Sequence, residues 1–178
     1  MSLDLDALFA LGACVGDRLA ARGDTLAVAE SSAGGLLSAA LLSRAGASAY
    51  YFGGAVLYTR RSRRLLTTLT SDDTVGLRSS SVPYAQLLAR HQRTRFKATW
   101  GLAETGAAGP DGNTYGDPAG HSCLAVDGPV ALHQMLRTGH GDRSANMLAF
   151  ASAALQLLLQ ALDQAAAATA PDTDTRSP

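Results

Sequence analysis

Lysine is almost missing from this 178-residue chain: Lys97 is the only one, and the other fourteen cations are arginines. A mechanism that needs a tunable amine base therefore has one candidate, because a guanidinium stays protonated at any ordinary pH. Cysteine is nearly as scarce. Cys14 and Cys123 form no CxxC and no metal-ligand spacing with any of the four histidines, which points to two buried free thiols in a reducing compartment. The histidines form no HExxH or HxE pair, so neither a catalytic metal nor another cofactor is expected. Net charge is missing too, since fifteen acids cancel fifteen bases. Without a global field, nucleic acid and membrane surfaces are not expected partners. No uninterrupted apolar run reaches the ~18 residues that span a bilayer. Asp4 and Asp6 stand where a signal peptide would carry basic residues, so a soluble, cytoplasmic protein is expected.

What is present suits one globular domain. Hydrophobic residues make up 47% and charged residues 17%, which excludes a disordered chain. Residues 3–22 carry Leu5, Leu8, Leu11, Val15 and Leu19 at helical spacing before a stop at Gly23. Residues 25–30 (TLAVAE) read as a buried strand that runs into a turn at 31–35 and a second helix to about Arg44. A strand over 51–59, a short helix over 62–69 and a longer one over 82–95 with Pro83 in its first turn follow. Next come a strand over 97–104, a glycine-rich loop over 105–120 and a hairpin of 121–126 with 130–137. Asp142 is placed to cap a final helix that runs to about Leu162. The domain thus covers 1–164, and residues 165–178 are low in complexity and expected to fray. Alternating strands and helices make the class α/β with a mostly parallel sheet.

Three segments join a strand end to a polar, glycine-containing turn, the place where open α/β sheets bind ligands. The first is Glu30, Ser31, Ser32, Ala33, Gly34, Gly35, whose N–H groups could hold a phosphate or a developing oxyanion. Ser31 reads equally well as a plain helix cap. The second is Tyr58, Thr59, Arg60, Arg61, Ser62, Arg63, Arg64, from which one inward arginine is expected and three solvated ones. The third begins Glu104, Thr105, Gly106 and continues through Gly109 to Gly112. The P-loop, the Rossmann glycine fingerprint and the GxSxG elbow are all absent.

In order along the chain, these motifs closely resemble the CinA C-terminal domain family, over about residues 5–162. The family's E-S-C-T-G-G stands as Glu30, Ser31, Ser32, Ala33, Gly34, Gly35, with Ser32 and Ala33 replacing cysteine and threonine. Its G-G-x-V-x-Y is intact as Gly53, Gly54, Val56 and Tyr58. Its T-G-x-A-G-P stands as Thr105, Gly106, Ala108, Gly109 and Pro110, and its G-D-R as Gly141, Asp142 and Arg143. The resemblance implies a three-layer α/β/α sandwich with a mixed, mostly parallel sheet. Many members carry a larger N-terminal molybdopterin-binding-like domain, for which this chain has no room, so it resembles the stand-alone form.

Enzymatic members are nicotinamide-mononucleotide amidohydrolases, so the implied partner is a small nucleotide or another phosphorylated amide. The resemblance places the nucleophile at Ser31, oriented by Tyr58 and Thr105, with an N–H nest near Ser32, Gly34 and Gly35. It extends the substrate site to Glu30, Gly53, Gly54, Gly106, Gly109 and Arg143. The family's assisting lysine falls five positions after Tyr58, where this chain has Arg63. A guanidinium cannot be a neutral base, so the resemblance leaves Arg63 to hold phosphate or to stabilise negative charge. A binder that has lost catalysis is the alternative. Pairing of two chains through an apolar stripe on the first or last helix is compatible with a domain of this size.

Overall fold

The computed structural model describes residues 5–169. It contains five helices and five strands: α1 (Leu5–Arg22), β1 (Leu26–Glu30), α2 (Leu36–Leu42), β2 (Tyr51–Val56), α3 (Arg60–Leu66), α4 (Val82–Phe96), β3 (Trp100–Ala107), β4 (His121–Asp127), β5 (Leu132–Arg137) and α5 (Arg143–Thr169). The strands form one sheet in the order β2-β1-β3-β4-β5. β1 pairs in parallel with β2 and β3, whereas β4 runs antiparallel to both β3 and β5. Four strands therefore point one way and β4 alone reverses. This is the mixed, mostly parallel α/β sheet expected from the sequence.

Side-chain size along the strands decides which helix packs where. On one face Leu26, Val28, Trp100, Leu102, Leu124 and Val126 meet apolar residues of α1, α2 and α5. On the other, Ala29, Ala103, Cys123 and Ala125 meet Tyr84, Ala85, Leu88 and Ala89 of α4. The period-2 alternation of large and small residues lets α4 lie very close to the sheet. At Gly101 the approach leaves no room for a side chain, since an added Cβ would sit 2.0 Å from the Ala89 carbonyl oxygen. α5 is long and apolar enough to cross a membrane by length and composition, but here its Phe150, Ala151, Ala154, Leu155 and Leu158 are buried in the domain.

Several boundaries differ from the sequence reading. Helix α2 starts at Leu36, after the expected turn, which two acids hold open, but it ends at Leu42, short of Arg44. Helix α3 begins at Arg60, where the Thr59 and Ser62 side chains exchange capping bonds with each other's backbone N–H. β3 continues to Ala107, which moves Thr105 and Gly106 from the loop into the sheet. Asp142 caps α5 as expected, accepting from the Ala145 N–H at 3.1 Å. α5 itself extends to Thr169 with Ala165 in the core, past the expected limit at residue 164. The rest of the expected tail lies outside the described residues. Cys14 is exposed, not buried, because it lies on the outer side of α1 from Val15 and Leu19; Cys123 is buried as expected.

Candidate active site

Beyond the carboxyl ends of β1, β2 and β3 lies a cleft of about 790 Å³, within the range of small-molecule sites. Ser31 and Ser32 enter it from the turn after β1, residues 57–60 and Arg63 from the end of β2 and from α3, and residues 105–113 from β3 and its following loop. A fourth wall consists of Leu77, Arg78, Ser79 and Ser80 with Tyr84 of α4. Sequence reasoning missed this wall, and also Tyr115 and Asn113. The only trace of it is the polar run 78–81, which carries no motif.

The expected site residues separate into those that face the cleft and those that hold it. Ser31, Ser32, Tyr58, Arg63, Thr105, Gly106, Gly109 and Arg143 all line it. Glu30 does not. It is fully buried, and its carboxylate accepts the N–H groups of Gly35 at 2.8 Å, Leu37 at 3.1 Å and Ser38 at 3.1 Å. Gly35, at φ 100°, has no side chain with which to cap α2, so Glu30 caps it from the strand. Gly53 and Gly54 sit within β2, against Phe96 and against Tyr51 and Ser38 respectively, and do not reach the cleft.

The expected N–H nest changes for the same reason. The Gly35 N–H is taken by Glu30, the Gly34 N–H by the Ser31 carbonyl at 3.1 Å, and those of Ser31 and Ala33 by Glu104 at 3.0 and 2.8 Å. Within this turn only the Ser32 N–H is left for a ligand. The Ser31 hydroxyl faces the cleft without a hydrogen bond to any described residue. Tyr58 and Thr105 are engaged elsewhere: the Tyr58 hydroxyl accepts from Arg143 at 2.9 Å, and Thr105 Oγ1 accepts the Ser80 N–H at 3.3 Å.

Positive charge is concentrated here although the whole chain is neutral. Arg60, Arg63, Arg78 and Arg143 line the cleft, against Asp111 as its one acid. Asp117 neutralises Arg78 through a two-pronged ion pair and is itself held below the ordinary carboxylate range by it. Arg143 is placed by the Gly109 carbonyl at 2.7 Å and lies 5.8 Å from the centre of the Tyr58 ring. Arg60 donates to the Tyr115 hydroxyl at 3.3 Å, which with a bond from Ser79 draws that phenol below its usual value. Arg63 keeps a buried Nε with no partner. Two arginines of the run 60–64 thus face inward, not one, because positions 60 and 63 lie one helical turn apart on α3. Lys97 caps the far end of α4 and is not among the lining residues, so among the described residues the cleft holds no amine. Among the described residues no group of three or more His, Cys, Asp or Glu is arranged to hold a metal ion.

The CinA C-terminal domain family model matches residues 9–162. The chain belongs to this family. A CinA-like protein of a Nostoc species is 36% identical over 163 residues, covering 85% of this chain and 38% of that protein. One from an Anaeromyxobacter strain is 38% identical over 152 residues, covering 85% of this chain and 37% of its own length. The chain therefore spans less than two-fifths of these relatives. Among solved structures, a competence-damaged protein (CinA) superfamily member from Klebsiella pneumoniae superposes with a TM-score of 0.81 at 28% identity, covering 88% of this chain and 98% of that one. A competence/damage-inducible protein from Agrobacterium tumefaciens gives 0.79 at 30% identity, covering 88% and 96%.

Proposed function

We propose that this CinA-family domain hydrolyses the carboxamide of nicotinamide mononucleotide, or of a closely similar phosphorylated amide, with Ser31 as nucleophile. The observation that carries the reading is the Ser31 hydroxyl, unpaired among the described residues, in the lining of a cleft whose cations outnumber its acids. The Ser31 oxygen adds to the amide carbonyl, and its proton passes to the amide nitrogen, which leaves as ammonia. Water then cleaves the acyl-serine to release the carboxylate and restore the hydroxyl. Arg63 and Arg143 are placed to balance the phosphate and the negative charge that develops on the carbonyl oxygen.

Arg63 cannot accept the serine proton, and loss of general-base help costs roughly 10²–10⁴ in rate. Turnover slower than that of a lysine-bearing site is the expected consequence. The same residue favours a second reading, a binder of phosphorylated small molecules without turnover. Ammonia release from nicotinamide mononucleotide by the wild type, Ser31→Ala and Arg63→Lys separates the two. Release that disappears in Ser31→Ala supports the hydrolase. A wild type that binds the nucleotide but releases nothing supports the binder, and activity gained in Arg63→Lys would mark it as a hydrolase silenced at one position.

A further inference from the structure

Glu104 has no exposed surface and takes no part in the reaction just described, yet four donors converge on it. Its Oε2 accepts the Ser31 N–H at 3.0 Å and the Ala33 N–H at 2.8 Å. Its Oε1 accepts the Ser122 hydroxyl at 3.0 Å and the Ser32 hydroxyl. Two carboxylate oxygens offer about four acceptor sites, so the set is complete. On β3, Glu104 has the parity of Leu102, which turns its carboxyl toward the α2 face and under the turn after β1. The turn is thus fastened at two points by acids from different strands. Glu30 holds residues 35–38 and so the start of α2, while Glu104 holds 31–33 and so the backbone that carries Ser31.

Buried N–H groups do not stay unpaired. If Glu104 withdrew, those of Ser31 and Ala33 would have to turn toward water in the cleft, and the Ser31 side chain would turn with them. We propose that Glu104 is the positioning residue for Ser31, and that it acts through the reach of its two acceptor oxygens and not through its charge. The inference rests on the reading of Ser31 as the nucleophile.

Two substitutions separate reach from charge. Glu104→Gln keeps the length: its amide oxygen can accept both backbone N–H groups, and its NH₂ can donate to Ser32 and Ser122, whose hydroxyls rotate to accept. Glu104→Asp keeps the charge but withdraws it by one methylene. For ammonia release from nicotinamide mononucleotide, kcat in Glu104→Gln stays within about threefold of wild type, whereas in Glu104→Asp it falls by about 10–100-fold. KM changes by less than about twofold in both, because the arginines hold the phosphate. The reverse order, two variants equal to wild type, two variants equally impaired, or KM rising in step with the fall in kcat would overturn the proposal.

Labelling of Ser31 by a fluorophosphonate, read by mass spectrometry, follows the same order without any need for substrate. If the wild type releases no ammonia but labels in this order, the hydrolase reading fails and the role of Glu104 stands. If the wild type neither labels nor turns over, hydrogen exchange at the Ser31 and Ala33 amides decides. Faster exchange in Glu104→Asp than in Glu104→Gln upholds the clamp, and equal exchange removes it.

Discussion

Replacing Arg63 by methionine should move stability and ligand affinity in opposite directions. Methionine reproduces the arginine side chain out to the position of Nε but carries no guanidinium and no donor. In the free protein the Arg63 side chain makes no hydrogen bond or ion pair to a described residue, and its Nε is buried without a partner. The hydrogen bonds that Arg63 does make use its backbone: its N–H donates to the Thr59 carbonyl at 3.0 Å, and its carbonyl accepts from the Thr67 N–H at 3.0 Å and the Thr67 hydroxyl at 2.7 Å. A side-chain substitution leaves those intact. An unsatisfied buried donor costs ~1–3 kcal/mol, and relief is partial because the Arg63 side chain is only partly buried. Stability should therefore hold or rise by up to about 1 kcal/mol, or ~2–4 °C in Tm for a chain of this size. Binding is the reverse case. A hydrogen bond between a guanidinium and a phosphate contributes ~1.5–3 kcal/mol, so its loss weakens Kd by about 10–150-fold. Differential scanning fluorimetry and titration calorimetry with nicotinamide mononucleotide measure both, and raised salt should weaken wild-type binding more than that of the variant. An unchanged Kd, or a Tm that falls together with affinity, would refute the assignment of Arg63 as an empty anion donor.

Three other outcomes follow from the packing and the buried charges. Gly101→Ala places a Cβ 2.0 Å from the α4 backbone at Ala89, and such overpacking costs ~1–3 kcal/mol, a fall of about 2–12 °C in Tm by calorimetry. With a disulfide reagent near pH 8 the native protein should titrate one thiol, exposed Cys14, and the denatured protein two, because burial raises the Cys123 thiol to about 11. Asp117 is held low by Arg78, so its contribution is full above the ordinary carboxylate pKa and is lost as pH falls through the depressed value. Asp117→Asn should accordingly melt lower than wild type at pH 7, with the gap closing below about pH 4, the unfolded reference value; a gap that stays constant down to pH 2 would show that the ion pair is not its source.

Much of the fold is legible in short-range pattern. The apolar run in 26–30, the Asp127-Gly128 turn after 121–126, helical spacing in 5–22, and glycine or aspartate at the ends place most elements within a few residues. What such patterns do not contain is a contact whose partner is distant in sequence. The turn at 31–35 is legible, but what holds it open is not: Glu104, 73 positions away from Ser31, takes two of its N–H groups. Local periodicity contains no sign of that bond. Cys14 reads as one apolar position among many on α1, and its exposure depends on which side of the helix α2 and α5 cover.

The candidate site divides along the same line. Local chemistry in the sequence determined the strand-end turns, the serine, the lack of a lysine, and the arginine run with its threonine cap, because residue type and near-neighbour spacing settle each of these. Tertiary structure alone decided which of them meet. It brought Arg60, Arg63, Arg78 and Arg143 from three segments into one cleft and turned Arg78 against Asp117, 39 positions away. It also gave the N–H groups of the serine turn to two buried acids, and left Gly53 and Gly54 inside the sheet. The physical reason is that charge and hydrogen-bond satisfaction depend on distance in space. A neutral composition can therefore fold into a cationic cleft, and an acid that reads as one letter of a loop motif can hold the backbone of the residue proposed to react.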